Sequence, residues 1–207
     1  MRLIKFVLLW CCMLSGAAHA APVILVFGDS LSAGYGLAVH QAWPDLLQQQ
    51  LNTHTDHQWQ VVNASISGET TAGGLSRLPA ALVKYQPRIV ILALGANDGL
   101  RGQPVTAMQA NLASMIKRIH QSGAQILLVG IHLPPNYGMA YTQKFQQVYT
   151  GLAQQYHIAL LPSLLTGIET QPKLFQADGL HPIAAAENRV MENVWSVLQP
   201  LLKRKRS

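Results

Sequence analysis

Short apolar runs of strand length alternate with stretches of helical periodicity through most of this 207-residue chain. Such alternation is typical of α/β proteins, in which a helix follows each strand and packs back onto the sheet. The runs are rich in Val, Ile and Leu, which predicts strands that are buried on both faces, as in a parallel sheet. The predicted strands span residues 23–27, 60–64, 88–94, 125–131 and 158–161.

Helices are predicted between and after these strands. Pro44 suits the first turn of one helix, and an apolar stripe at helical spacing predicts another around residues 108–119. A third spans about 140–156, and the last follows Pro182. The predicted buried side of the last helix consists of Val190, Val194, Val197 and Leu198. Five strands with right-handed crossovers predict a flavodoxin-like, three-layer α/β/α sandwich around a five-stranded parallel sheet.

The N-terminal segment is expected to be a signal peptide that is removed on export. Arg2 and Lys5 precede a short apolar run, and small residues end the segment near Ala20. The run is shorter than the roughly 20 residues of a membrane-spanning helix. Both cysteines lie in this segment, so the exported protein has no disulfide. The expected organisation is a signal peptide at 1–20, one periplasmic or secreted domain at 21–200 and a basic tail at 201–207.

The distribution of charge argues against a nucleic-acid partner. Of the 15 Lys and Arg residues, two belong to the predicted signal peptide and four to the tail, so the remaining nine equal the 9 Asp and Glu residues. Nucleic-acid-binding domains concentrate basic residues on one face, and this balance does not favour such a face. The tail is expected to be a solvated end, with weak contact to an anionic membrane surface as the alternative. The expected assembly state is a monomer.

Polar, glycine-rich segments follow the first three predicted strands. They span residues 28–30, 65–68 and 95–98. Because ligands bind at the carboxyl ends of strands in α/β sheets, these segments should meet at one edge. Ser30, at the start of the following helix, can present its hydroxyl together with a free backbone N–H that binds an oxyanion. A polar residue after a strand is also a common helix cap, and this alternative stays open.

An Asp-Gly-Leu-His-Pro segment near the C-terminus offers a base for Ser30. A serine hydroxyl needs such a base, and the base needs a third group to orient it. Asp178 lies three residues before His181, so its carboxylate can hold the ring tautomer whose other nitrogen faces the serine. A capping Asp beside a surface His is the alternative. Gly68 and Asn97 offer further N–H donors for an oxyanion, and both residue types are also common in turns.

Four sequence blocks resemble those of the SGNH (GDSL) hydrolase family and occur in the family's order. The blocks are Gly28-Asp29-Ser30-Leu31, Gly68, Gly95-Ala96-Asn97-Asp98 and Asp178-Gly179-Leu180-His181-Pro182. This resemblance implies that Ser30 is the nucleophile, His181 the base and Asp178 the group that orients it. It also implies an oxyanion hole formed by Ser30, Gly68 and Asn97, an acyl-enzyme on Ser30, and no metal or organic cofactor.

Longer stretches resemble bacterial periplasmic members of this family with thioesterase and lysophospholipase activity. The resemblance implies hydrolysis of fatty acyl esters and thioesters, including lysophospholipids and aryl esters, so the expected partner is a small-molecule or lipid acyl ester. In those members the loop after the fourth strand borders the acyl pocket. A plain strand-to-helix connection is the alternative for this loop. The candidate substrate-binding residues are Leu133, Pro134, Tyr137 and Met139.

Two other functions fit the same residues. One is removal of short acetyl groups from carbohydrate, and the other is a non-catalytic acyl- or glycan-binding module that has kept the fold. A purely structural role is disfavoured because it gives no reason for polar groups after three strands. The histidines outside the signal peptide and the candidate site have no paired metal-ligand spacing, so no metal is expected. They are His40, His54, His57, His120, His132 and His157.

Overall fold

A five-stranded parallel sheet forms the centre of the molecule. The computed structural model describes residues 21–55 and 59–203. The strands are β1 Val23–Gly28, β2 Gln60–Asn63, β3 Ile89–Ala93, β4 Gln125–Val129 and β5 Ala159–Leu161. Their spatial order is β2-β1-β3-β4-β5, which confirms the predicted flavodoxin-like sheet. The predicted signal peptide and all but the first residues of the predicted tail lie outside the described residues.

Helices cover both faces of the sheet. They are α1 Ser30–Ala33, α2 Trp43–His54, α3 Thr71–Tyr85, α4 Ala96–Leu100, α5 Val105–Gln121, α6 Met139–Tyr156 and α7 Ala184–Leu202. The helix α2 packs against α7 on one face, while α5 packs between α3 and α6 on the other. In the described part of the chain, no helix has the length and apolar character needed to cross a membrane.

The strand β1 is the point at which the chain reverses direction across the sheet. It pairs with β2 on one side and with β3 on the other, so that Gly28 lies beside Ala93 at the carboxyl ends. Residues 24–27 of β1 and 89–92 of β3 are completely buried. Loops after β1 and β3 therefore leave the sheet from adjacent positions, and the gap between such loops is the usual ligand site of this topology.

The helix α3 was not among the helices that the sequence predicts. It contains Gly73, Gly74 and Pro79, which disfavour helix by propensity, but it continues through all three. Tertiary packing explains the glycine at 74, because a Cβ there would lie 2.4 Å from the Leu94 side chain. Packing against the sheet thus outweighs local propensity in this segment.

The second, third and fourth strands end earlier than predicted, at Asn63, Ala93 and Val129. The apolar runs continue past these ends because residues beyond the last strand pairs are still buried. Leu94 and Ile131, for example, are nearly inaccessible although neither belongs to a strand. Burial and strand pairing are separate properties, and the apolar pattern reports only burial.

Glu187 connects the first turns of α2 and α7. Its Oε2 accepts a hydrogen bond from the Trp43 backbone N–H at 2.7 Å, and the residue is only 2% exposed. Burial raises the pKa of Glu187 from 4.5 to about 7, although the bond from Trp43 acts in the opposite direction. The carboxyl group is therefore favoured in its neutral form at this position.

We expect Glu187→Gln to change how stability depends on pH. Because the folded pKa exceeds the unfolded one, the stability from this group is complete below about pH 4 and is lost as pH rises through about 7. Gln keeps an acceptor for the Trp43 N–H but carries no charge. In urea unfolding, the parent and Glu187→Gln should have equal free energies of unfolding near pH 4. At about pH 8 the variant should be more stable than the parent by up to about 3 kcal/mol.

Glu192→Gln provides the matched control for this prediction. The Glu192 side chain is 60% exposed and pairs with Arg189 at 3.5 Å within the same helix. Exposed pairs of this kind contribute about 0–1 kcal/mol, so this variant should follow the parent at every pH. If Glu187→Gln changed the free energy of unfolding by the same amount at every pH, the raised pKa of Glu187 would not be the cause.

Candidate active site

Ser30 lies where β1 turns into the one-turn helix α1. The turn begins with a helix cap, because Asp29 Oδ1 accepts a hydrogen bond from the Leu31 N–H at 3.1 Å. Gly28 allows β1 to approach β3 closely, since a Cβ there would lie 3.0 Å from the Ala93 carbonyl oxygen. The cap is thus Asp29 and not Ser30. The serine N–H, in the first turn of a helix, has no intrahelical partner.

Ser30, His181 and Asp178 form a continuous chain of hydrogen bonds. Ser30 Oγ and His181 Nε2 are 2.8 Å apart, and His181 Nδ1 and Asp178 Oδ2 are 2.7 Å apart. With the carboxylate accepting from Nδ1–H, Nε2 is available to take the serine proton. The Tyr35 ring packs beside the imidazole, with ring centroids 4.6 Å apart. The arrangement can therefore activate a serine hydroxyl.

The carboxylate of Asp178 is held by the turn to which it belongs. Its Oδ1 accepts the backbone N–H groups of Leu180 at 2.8 Å and of His181 at 3.0 Å. Gly179 adopts a positive φ of 69°, which allows the tight turn. The Leu180 N–H is the main reason why the pKa of Asp178 falls to about 2; burial raises this pKa, and the hydrogen bonds and charge of His181 lower it further. Asp178 is consequently ionised at any pH at which an imidazole can act as a base.

Gln176, which sequence reasoning missed, fixes this turn to the rest of the site. Its backbone N–H donates to the His181 carbonyl oxygen at 2.7 Å. Its side-chain amide donates to the carbonyl oxygens of Tyr35 at 2.8 Å and of Pro182 at 3.0 Å. The loop after α1 and the turn that carries the imidazole are therefore joined through one side chain. Long-range contacts of this kind leave no local pattern in the sequence.

The three predicted oxyanion donors come from three different loops. Gly68 has a φ of 78°, and within the described ranges neither its N–H nor that of Ser30 has a hydrogen-bond acceptor. Asn97 donates one side-chain N–H to the Glu69 carbonyl oxygen at 3.0 Å, which leaves the second hydrogen of this amide for another acceptor. Unpaired N–H groups at the end of a sheet are suited to bind a developing oxyanion.

A buried carboxylate supports the loops that carry Gly68 and Asn97. Asp98 accepts the Thr71 backbone N–H at 2.8 Å and its hydroxyl at 2.6 Å, which ties the start of α3 to α4. Arg101 donates to the Gly68 carbonyl oxygen at 3.2 Å. Neither Thr71 nor Arg101 was identified from sequence, although Asp98 lies within a block that carries the family resemblance.

A cleft of about 440 Å³ opens beside Ser30 and His181. Its wall includes two of the four predicted substrate-binding residues, Leu133 and Pro134. The other two do not line it. Tyr137 donates its hydroxyl to the Leu100 carbonyl oxygen at 2.9 Å, and Met139 is 74% exposed at the start of α6. The other lining residues are Leu31, Ala96, Asn97, Leu100, Ile131, His132, Pro135, Leu165, Glu169, Thr170, Phe175, Gly179 and Leu180.

A hydrogen-bonded pair of side chains joins two walls of this cleft. His132 Nδ1 and Glu169 Oε1 are 2.8 Å apart, and the same carboxylate oxygen accepts the Ser163 hydroxyl at 2.5 Å. His132 belongs to the loop after β4, and Glu169 to the segment after β5. The pair therefore holds these segments together across an otherwise mostly apolar wall. Within residues 21–55 and 59–203, no three His, Cys, Asp or Glu side chains form a group that could hold a metal ion.

Comparisons with known proteins agree with this geometry. Residues 26–188 match the model of the GDSL-like Lipase/Acylhydrolase family. The chain is 50% identical to Esterase TesA of Pseudomonas aeruginosa over 88% of this chain and 90% of that protein. It is 40% identical to Thioesterase 1/protease 1/lysophospholipase L1 of Escherichia coli K12, over 92% and 89% of the two chains. A crystal structure of TesA superposes with a TM-score of 0.84 at 49% identity and covers 86% of this chain and 99% of that one.

We expect Asp178→Asn to reduce kcat for p-nitrophenyl butyrate by about 10²–10⁴ with little change in KM. The Asn oxygen can still accept the Leu180 N–H, but the amide hydrogens favour the wrong imidazole tautomer. Asp45→Asn is the matched control, because Asp45 forms an exposed pair with His40 at 3.3 Å away from Ser30. Steady-state kinetics of the two variants check the prediction, and equal activities would contradict it.

We expect Gly68→Ala to reduce kcat by about 10²–10³, the usual effect of losing one oxyanion donor. Space does not prevent the substitution, since the nearest atom to the new Cβ is an Arg101 nitrogen at 3.8 Å. The positive φ of Gly68 is unfavourable for an L-residue, so the backbone of the variant should relax toward negative φ and turn the N–H away from the oxyanion. Gly102→Ala is the control, with a φ of 61° and open space. Both variants should lose about 1 kcal/mol of stability. A Gly68→Ala enzyme with the parent's kcat would exclude Gly68 as an oxyanion donor.

Proposed function

The chain belongs to the GDSL-like lipase/acylhydrolase family of hydrolases, and on this basis we propose that it is a serine esterase that cleaves esters and thioesters of fatty acyl chains. One observation carries the proposal: the chain of hydrogen bonds from Asp178 through His181 to Ser30 ends at an apolar cleft of about 440 Å³. A serine activated beside such a cleft is suited to attack an acyl carbonyl whose chain lies along the cleft wall.

The proposed reaction proceeds through an acyl-enzyme. Ser30 Oγ attacks the carbonyl carbon while its proton passes to His181 Nε2, and Asp178 stabilises the resulting imidazolium. The N–H groups of Ser30, Gly68 and Asn97 bind the oxyanion of the tetrahedral intermediate. His181 then gives the proton to the leaving oxygen or sulfur, and the acyl group remains on Ser30. A water molecule, deprotonated by His181, releases the acid and restores the serine.

The lining of the cleft favours an alkyl chain over a sugar. Leu100, Ile131, Leu165 and Phe175 contribute apolar surface beside the catalytic groups. Sites that bind carbohydrate need several polar groups for the sugar hydroxyls. In this cleft Glu169 is already engaged by His132 and Ser163. The acetyl group of a carbohydrate would leave most of the apolar wall without a contact.

The proposed location is outside the cytoplasm. It rests on the signal-peptide pattern of residues 1–20, which lie outside the described residues and remain a prediction. In that location acyl-CoA is scarce, so lysophospholipids and other lipid or aryl esters are the substrates we propose. The proposed assembly state is a monomer, because one chain supplies the whole hydrogen-bonded set Ser30, His181 and Asp178.

We expect the protein without residues 1–20 to hydrolyse p-nitrophenyl esters, with medium or long acyl chains preferred over acetyl. The Ser30→Ala variant should lose nearly all activity, on the order of 10⁴ or more in kcat, because no other group can form the acyl-enzyme. Ser114→Ala, which removes a hydroxyl that only bonds within α5, is the control. Cleavage of acetyl esters alone would favour a carbohydrate esterase. Equal activity of Ser30→Ala and the parent would refute the proposal and favour a binding module.

A further inference from the structure

Exposed apolar side chains are concentrated at the edge of the sheet that contains Ser30. Of the six large apolar side chains that are exposed in the described ranges, five belong to segments that follow the carboxyl end of a strand. The sixth is Val83 near the end of α3, at the opposite edge of the sheet. The five residues, here termed the apolar rim, are Tyr35, Val39, Ile66, Met139 and Leu180.

Two residues of the apolar rim lie at the mouth of the cleft. Tyr35 packs against the His181 ring, and Leu180 lines the cleft itself. Val39 and Met139 belong to segments at the same edge of the sheet and are 82% and 74% exposed. An apolar area of this kind around a site entrance indicates a surface that is covered when the protein works.

Charged groups of both signs accompany the apolar rim. Seven carboxyl groups lie at this edge, and each accepts a hydrogen bond from the protein. They are Asp29, Asp45, Glu69, Asp98, Glu169, Asp178 and Glu187. The exposed Arg101, Lys144 and Lys173 follow the same strand ends, and in the described part of the chain none of them pairs with a carboxylate. A hydrogen bond does not cancel the charge of a carboxylate, so the edge presents apolar side chains together with cations and carboxylates.

We propose that the apolar rim docks on a lipid–water interface, so that acyl substrates enter the cleft directly from that surface. This inference rests on the proposed function, since it assigns the cleft an acyl substrate. Apolar side chains that are exposed to water can enter the headgroup boundary of a lipid surface, and five of them are exposed at this edge. A protein partner or a second copy on the same rim would cover the mouth of the cleft, whereas a lipid surface is itself the source of substrate.

This surface is distinct from the basic tail. The helix α7 begins at the carboxyl edge of the sheet and ends at the opposite edge, where Lys203 caps it. A tail that follows Lys203 thus starts far from the cleft mouth. Docking through the tail and docking through the apolar rim would orient the molecule in opposite ways, and variants can separate them.

The test measures binding to vesicles of phosphatidylethanolamine containing a quarter phosphatidylglycerol, with Ser30→Ala as the background to prevent hydrolysis. The parent background should sediment with the vesicles. The double variant Val39→Glu/Met139→Glu should bind at least about tenfold more weakly, because two apolar contacts become like charges facing an anionic surface. Val83→Glu is the matched control, since Val83 is 76% exposed at the opposite edge, and it should bind as the background does.

Three results would overturn the docking proposal. The first is vesicle binding that is unchanged in the double variant. The second is equal weakening by Val83→Glu or by truncation after Lys203, which would locate binding elsewhere. The third is a dimer in sedimentation velocity that the double variant dissociates, which would assign the rim to a second copy. Thermal unfolding checks that the variants fold, and Val39→Ser/Met139→Ser, which should also weaken binding, replaces the Glu pair if it does not.

Hydrolysis of water-soluble p-nitrophenyl butyrate separates this proposal from the function on which it rests. With Ser30 intact, the double variant should keep the parent's turnover within about twofold, because neither position lines the cleft. Turnover of the soluble ester by a parent that binds no vesicles would overturn docking alone. Vesicle binding through the rim by a protein that cleaves no ester would support docking and overturn the esterase.

Discussion

The burial of β1 on both faces and both edges is the constraint on which the site depends. Completely buried apolar residues fill this strand, so polar groups are confined to the turn that follows it. Because β3 lies beside β1 and the chain reverses direction there, the turns after both strands leave from one place. Ser30 and Asn97 thus line one cleft although they are far apart in sequence. The topology creates the site, and the core holds it in place.

Two aspartates near Ser30 have opposite environments, and the difference suits the chemistry. Burial raises the pKa of Asp29 to about 7, whereas the Leu180 N–H and His181 hold that of Asp178 near 2. Asp29 therefore carries less negative charge near neutral pH than an exposed carboxyl group would. Asp178 is charged and contacts the ring on which positive charge develops.

The sheet and the chemical groups could be predicted from sequence because each leaves a local pattern. The apolar runs indicated all five strands, and the Asp178–His181 spacing indicated a pair that the structure brings into hydrogen-bonding distance. The missed features depend on tertiary contacts. The helix α3 forms in spite of its glycines and proline, and the bonds from Thr71 to Asp98 span 27 residues. The sequence predicted that the whole loop after β4 borders the cleft. In the structure Tyr137 instead binds the Leu100 carbonyl oxygen, and the end of the loop does not line the cleft.

The loop that carries Gly68 shows why such contacts matter for catalysis. It has no regular structure, so its shape depends on its neighbours. Arg77 stacks on Phe27 at 3.8 Å and holds the Glu69 carboxylate at 2.5 Å, which connects the loop to the core of β1. Asn97 binds the Glu69 carbonyl oxygen from the other side. The position of the Gly68 N–H therefore depends, through Glu69 and Arg77, on the same central strand that positions Ser30.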